Sequence, residues 1–178
     1  MSDIMKIKNG HDLIIRRAEK RDAQMLIDYL NVVGGESDNL LFGGNEFEMT
    51  VEQEEGFIES INSSKTSALL VGFINDKVAC VGSLSAPSRE RISHQGNIGM
   101  SVLKEYWGLG IGTILMTAII DFAKNTGKLE ILHLGVKADN SRAIKLYKKM
   151  GFQEIGLYSK FFKINNVYHD EILMNLYL

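Results

Sequence analysis

The chain has 178 residues, of which 45% are hydrophobic and 24% charged, with a net charge of −2. That length suits one domain, residues 1–178, able to bury roughly 70% of the surface its unfolded form exposes, and the composition excludes a disordered chain. The near balance of charge argues against a nucleic-acid partner held by bulk electrostatics, and a single cysteine, Cys80, excludes a disulfide framework.

The first residues show no basic region followed by an apolar core of signal length, and no apolar run reaches the length of a membrane span. A cytoplasmic protein with no membrane partner is the expectation. Asp12–Arg17 (DLIIRR) reads as the first strand. Met25, Leu26, Tyr29, Leu30 and Val33 then recur at helical spacing until Gly34 and Gly35 stop the pattern. After a turn-rich segment, Thr50 with Gln53 three positions on predicts a capping box, and Phe57, Ile58 and Ile61 give the next helix its apolar stripe. The run TSALLVGFINDKVACVGSLS reads as a hairpin turning at Asn75 and Asp76, and Pro87 marks the loop after it.

A strand from Asn97 (NIGMSVL) leads into EYWGLGIG, where Gly108, Gly110 and Gly112 occupy alternate positions. Ile111, Ile114, Leu115, Ala118, Ile119 and Phe122 predict a helix from near Gly110 to near Gly127. LEILHLGV is the next strand, apolar enough to predict burial on both faces. A helix capped by Asn140 or Ser141 follows, with Ala143, Leu146, Tyr147 and Met150 on one face and Gly151 as its stop. Two long β-like runs, joined by Asn165 and Asn166, close the chain. The order β-α-α-β-β-β-α-β-α-β-β describes a mixed α/β domain around one sheet.

The glycine stretch lies between a strand and an amphipathic helix, where free amides and the helix dipole suit phosphate oxygens. A Rossmann fingerprint fails because Thr113 stands where its third glycine belongs. A Walker A loop fails because Gly127–Lys128 has Phe122 at the required glycine and Leu129 at the required hydroxyl.

SVLKEYWGLGIGTILM resembles the acetyl-CoA pyrophosphate loop of the GNAT superfamily of N-acetyltransferases, with Trp107 in place of the leading Gln or Arg. DNSRAIKLYKKMGF is similar to that family's second cofactor segment, with Asn140, Ala143, Tyr147, Gly151 and Phe152 in register. The resemblance implies a GNAT-like fold, a twisted, mostly antiparallel central sheet with helices on both faces. It implies acetyl-CoA as cosubstrate and transfer of its acetyl group to a primary amine, by direct attack in a ternary complex. The amine, on a small molecule or a protein, is left open. A non-catalytic acyl-CoA sensor or partner-binding module on the same fold is the alternative.

The resemblance also assigns residues. Backbone groups of Trp107, Gly108, Leu109, Gly110, Ile111, Gly112 and Thr113 would cradle the diphosphate, and those of Met100 and Val102 would pair with the pantetheine arm. Asn140, beside Ala143, serves equally as helix cap or pantetheine contact. Tyr147 is the implied general acid, its phenol protonated at neutral pH. For the general base, Glu36, Asp38 and His94 stand as candidates, each able to relay a proton through water. Glu46, Glu48, Glu52, Glu54 and Glu55 are better read as acidic residues around a helix N-terminus than as an amine site. Lys145, Lys148 and Lys149 read as a solvated basic face, and Cys80 as a core residue. His11, His94, His133 and His169 lack ligand spacing, so no metal is expected. A homodimer through the two C-terminal strands is carried as analogy with the fold.

Overall fold

The computed structural model describes residues 3–178. β1 (Asp3–Lys6) precedes the strand expected first, β2 (Asp12–Arg17), and pairs with it antiparallel. The sequence reading omits β1 because four residues at a sheet edge, with Ile4 66% exposed, carry too little alternation to register. α1 (Ala23–Gly35) and α2 (Val51–Ser63) follow. The capping box forms as expected: the Gln53 amide N–H donates to Thr50 Oγ1 at 3.3 Å, and the Thr50 N–H donates to Gln53 Oε1 at 2.9 Å.

β3 (Ala68–Ile74) and β4 (Lys77–Ser85) form the expected hairpin, with Asn75 and Asp76 at φ of 48° and 61°. Two left-handed residues match the twist of the strands they join. β5 (Gln95–Val102), α3 (Ile111–Asn125), β6 (Ile131–Lys137) and α4 (Ser141–Lys149) come next. β7 (Gln153–Ile164) and β8 (Val167–Tyr177) turn at Asn165 and Asn166, again left-handed.

The strands form one eight-stranded sheet in the order β1-β2-β3-β4-β5-β6-β8-β7. Every neighbouring pair is antiparallel except β5 and β6, which α3 joins as a crossover. Helices cover both faces. Leu69, Val71 and Phe73 pack toward α1 and α2, with Leu26, Val33 and Ile58, while Leu70 and Ile74 pack toward Leu115 and Ile119 of α3. The alternation along β3 thus feeds two cores, which is why all seven of its residues are buried.

β6 departs from expectation. Leu132, Leu134 and Val136 are buried, but Gly135 is exposed and His133 half-buried. Only one face enters a core, because the other fronts an open cleft.

Arg16 anchors the α1 side. Its guanidinium meets the Asp22 carboxylate at 2.6 and 2.7 Å, and the Glu19 amide donates to the same carboxylate at 2.7 Å. Burial alone would raise the Asp22 carboxyl, but the hydrogen bonds from Arg16 and Glu19 outweigh it and hold that group below its ordinary value. Among the described residues no helix is long and apolar enough to cross a membrane.

Candidate active site

β5 and β6 pair only over Gln95–Asn97 and Ile131–His133, and beyond those residues they part. The gap opens a cleft of about 740 Å³, within the range of small-molecule and cofactor sites. The phase of the β4–β5 ladder decides what β5 offers to it. Leu103 N–H donates to Ala79 O, so the neighbouring pair Cys80 and Val102 is non-hydrogen-bonded, as is the pair Gly82 and Met100. The backbone groups of Met100 and Val102 therefore point away from β4, toward the parting of the strands. One of them is already taken: the Trp107 indole N–H donates to Val102 O at 2.8 Å.

The mouth of α3 supplies a second set of backbone groups. Gly108 and Gly110 have φ of 83° and 91°, a left-handed conformation that disfavours any side chain, and open space lies where a Cβ would stand. Gly112 has a different reason to be glycine. It is already helical, and a Cβ there would lie 3.2 Å from Leu146, so its absence lets α3 and α4 approach. The amides of residues 108–112 have no hydrogen-bond acceptor among the described residues. These unpaired donors stand at the positive end of a fifteen-residue helix, and four of the five residues, all but Leu109, line the cleft, an arrangement suited to an anion.

α4 closes the same cleft from below. The Ala143 amide donates to Asn140 Oδ1 at 3.2 Å, so Asn140 is the cap. In the first turn of the helix, the Arg142 guanidinium stacks 5.0 Å from the Trp107 ring centroid. Tyr147 lines the cleft although its residue is only 8% exposed, and its ring leans on Phe152 with centroids 5.9 Å apart. Its hydroxyl has no hydrogen-bond partner among the described residues, and burial pushes the phenol up to about 12. A phenol so placed keeps its proton throughout the neutral range.

Residues 39–152, well over half of the chain, match the sequence profile of the Acetyltransferase (GNAT) family. The chain belongs to the GNAT family of acetyltransferases. It is 27% identical over 154 residues to an N-alpha-acetyltransferase of Sulfurisphaera tokodaii, covering 86% of this chain and 87% of that protein. It is 31% identical over 108 residues to the L-amino acid N-acetyltransferase AaaT of Escherichia coli, covering 57% of this chain and 67% of that protein. Among solved structures, an acetyltransferase of the GNAT family from Streptococcus pneumoniae superposes with a TM-score of 0.91 at 33% identity, over 93% of this chain and 99% of that one. The general reaction of GNAT enzymes moves an acetyl group from acetyl-CoA to an acceptor.

Within this GNAT domain the residues singled out from sequence divide in two. Met100, Val102, Trp107, Gly108, Gly110, Ile111, Gly112, Asn140, Ala143 and Tyr147 all line the one cleft. Leu109 and Thr113 do not. The Leu109 carbonyl accepts from Lys8 N–H, and the Thr113 amide, expected in the cradle, donates instead to Gly110 O at 3.0 Å as the first turn of α3 closes. The three candidate bases are scattered. Glu36 accepts the Lys104 amide at 2.7 Å and ties the end of α1 to the glycine loop. Asp38 points outward between Ser37 and Asn39, which both line the cleft. His94 stands where β5 and β6 are still paired, its carbonyl accepting the Glu130 amide at 2.8 Å.

The GNAT cleft also gathers residues the sequence reading passed over. Arg142 is the cation of α4 that reaches it; Lys148 instead pairs with Glu154 at 2.8 Å. Its place next to Ala143 inside the second motif was the available signal. Leu40 and Leu41, from the connection between α1 and α2, and Phe161, from β7, form an apolar rim, and Glu171 enters from β8. No local pattern marks these.

Proposed function

We propose that this GNAT enzyme is an N-acetyltransferase that binds acetyl-CoA in the cleft between β5 and β6 and acetylates a primary amine by direct attack in a ternary complex. One observation carries the reading: the unpaired amides of Gly108, Gly110, Ile111 and Gly112 and one protonated, unpaired phenol lie along a single cleft. The chain's groups fit the cosubstrate. The amides of residues 108–112 would hold the diphosphate, Arg142 would add a cation at the mouth, and the outward backbone groups of Met100 would pair with the pantetheine amides. When bound, acetyl-CoA supplies a thioester whose acyl carbon an amine can attack.

Everything else falls to the protein. Tyr147 holds a proton at Oη inside the cleft, where a departing thiolate needs one, and its high pKa keeps that proton available across neutral pH. Trp107 occupies the place where the family carries Gln or Arg, and its stacking on Arg142 recovers a positive charge there. The apolar rim of Leu40, Leu41 and Phe161 would exclude water from the attacking amine. The cytosol is the location this reading carries with it.

The test is thiol release from acetyl-CoA in the presence of a panel of free amino acids, polyamines and tetrapeptides with free N-termini. Wild-type protein should turn over members of the panel, and Tyr147→Phe should lower kcat by about a hundredfold while leaving acetyl-CoA affinity unchanged. Equal kcat in the two proteins would remove Tyr147 from the chemistry. Acetyl-CoA binding with no turnover of any amine would favour a sensor.

A further inference from the structure

Glu171 lies in mid-β8, its residue 8% exposed, and it lines the cleft. Buried charges normally have a partner. Asp22 has Arg16, and Lys137 has Asp139, with Nζ 2.7 and 2.8 Å from the two carboxylate oxygens. Glu54 of α2 and Glu171 have no side-chain hydrogen bond or ion pair among the described residues, and of the two only Glu171 opens onto the cleft. Lys137 stands directly opposite it in the β6–β8 register and therefore on the same face, yet that amine is committed to Asp139.

The next position of β6 on this face is Gly135, opposite Leu173. A Cβ built on Gly135 would overlap the Glu171 carboxyl. The carboxyl thus lies across the bare backbone of β6, where that strand has left β5, and a side chain at residue 135 would expel it. Ser85, Asn97 and His133 line the same cleft. Of the other ionisable groups, Tyr158 stands opposite Glu171 on β7 and His169 two residues back on β8 with Nδ1 3.5 Å from Asp139, while Tyr106, Arg142 and Tyr147 line the same cleft. Burial without a cation raises the Glu171 carboxyl above its ordinary value, and burial lowers His133.

We propose that Glu171 is the carboxylate that receives the acceptor's ammonium in this cleft and takes its proton, and that Gly135 exists to make room for it. An entering primary ammonium is the missing ion partner. In the transfer one N–H bond of the ammonium breaks and one O–H bond forms on the Glu171 carboxylate, so the amine keeps its electron pair and becomes the nucleophile. A raised carboxyl pKa narrows the gap to the ammonium and so assists the step. The role rests on the transferase reading above. It goes beyond that reading by giving the amine a binding group on β8, far from the motifs that hold the cosubstrate.

A carboxylate kept buried and unpaired for chemistry costs stability, whereas a structural one contributes it. Wild type, Glu171→Gln and Glu171→Asp are compared in thiol release on the amine panel across pH, in calorimetric titration with acetyl-CoA, and in thermal unfolding. Glu171→Gln is expected to lose about a hundredfold or more in turnover at neutral pH, to regain rate as alkaline pH deprotonates the amine itself, and to bind acetyl-CoA as wild type does. Its melting temperature should equal or exceed that of wild type, and Glu171→Asp should restore part of the rate. Glu171→Gln turning over within threefold of wild type at every pH would overturn the role while leaving the transferase reading intact. A lowered melting temperature with unchanged pH dependence would reassign Glu171 to structure. A wild-type protein that binds acetyl-CoA but acts on no amine would overturn the transferase reading, and this proposal with it.

Discussion

The two walls of the cleft are built from different materials. On the wall proposed to hold the cosubstrate most of the groups on offer are backbone, free amides at the mouth of α3 and the outward edge of β5, made available by two left-handed glycines and an early end to strand pairing. On the wall proposed to receive the acceptor they are side chains, with Leu40 and Leu41 from the connection between α1 and α2, Phe161 from β7 and Glu171 from β8. Backbone chemistry can be done only by a few residue types in a fixed local order. Side-chain chemistry needs a single residue at a place the whole fold determines. The first wall suits a cosubstrate shared across a family, and the second is free to change with the acceptor.

Substitutions can break or sharpen that contrast. The largest expected effect is on the stability of the α1 side of the fold. Asp22→Asn leaves the Arg16 guanidinium without its carboxylate and should cost about 3 kcal/mol, lowering the melting temperature by roughly 6–12 °C. The sign with pH follows from the depressed Asp22 carboxyl: its stabilisation is complete above the unfolded value and lost as pH falls through the folded one. Wild type and variant should therefore converge in stability in acid, below about pH 4. A constant difference down through that range would mean that the ion pair is not what Asp22 contributes.

Two glycines then separate the walls. Gly110→Ala forces a side chain into a left-handed residue of the cradle, at a cost of about 1–2 kcal/mol, and should weaken acetyl-CoA binding by about tenfold or more in calorimetry. Gly135→Ala should leave that affinity unchanged and lower amine turnover several-fold by displacing the Glu171 carboxyl, a smaller effect because the carboxyl is the far end of a flexible chain. If both substitutions acted on acetyl-CoA affinity alike, the division into two walls would be wrong.

The same division explains what could be read in the sequence. The helices, both Asn-led hairpin turns, the Thr50 capping box and the Gly110 helix start were legible because each depends on residues within a few positions of one another. So were the left-handed glycine loop and the helix that carries Tyr147, whose motifs are contiguous. β1 was not, being a short edge strand that exists by pairing with β2. The one-sided burial of β6 was hidden because an apolar run does not say that its neighbour β5 departs after Asn97. Glu36 and Asp38, in the turn-rich segment between the first two helices, and His94, just before the central strand, were candidates for relaying a proton through water, and none of them lines the cleft. Glu171 and Gly135 are brought together only by the β6–β8 register, which no local pattern encodes.

Central to the proposed function is a diphosphate cradle at the free amides of residues 108–112. Calorimetric titration of the folded protein with acetyl-CoA, with NAD and ATP as controls, tests it most directly. Saturable binding of acetyl-CoA at one site, absent for NAD and ATP and weakened in Gly110→Ala, is the predicted result. A folded protein that binds acetyl-CoA no better than the two controls would contradict it.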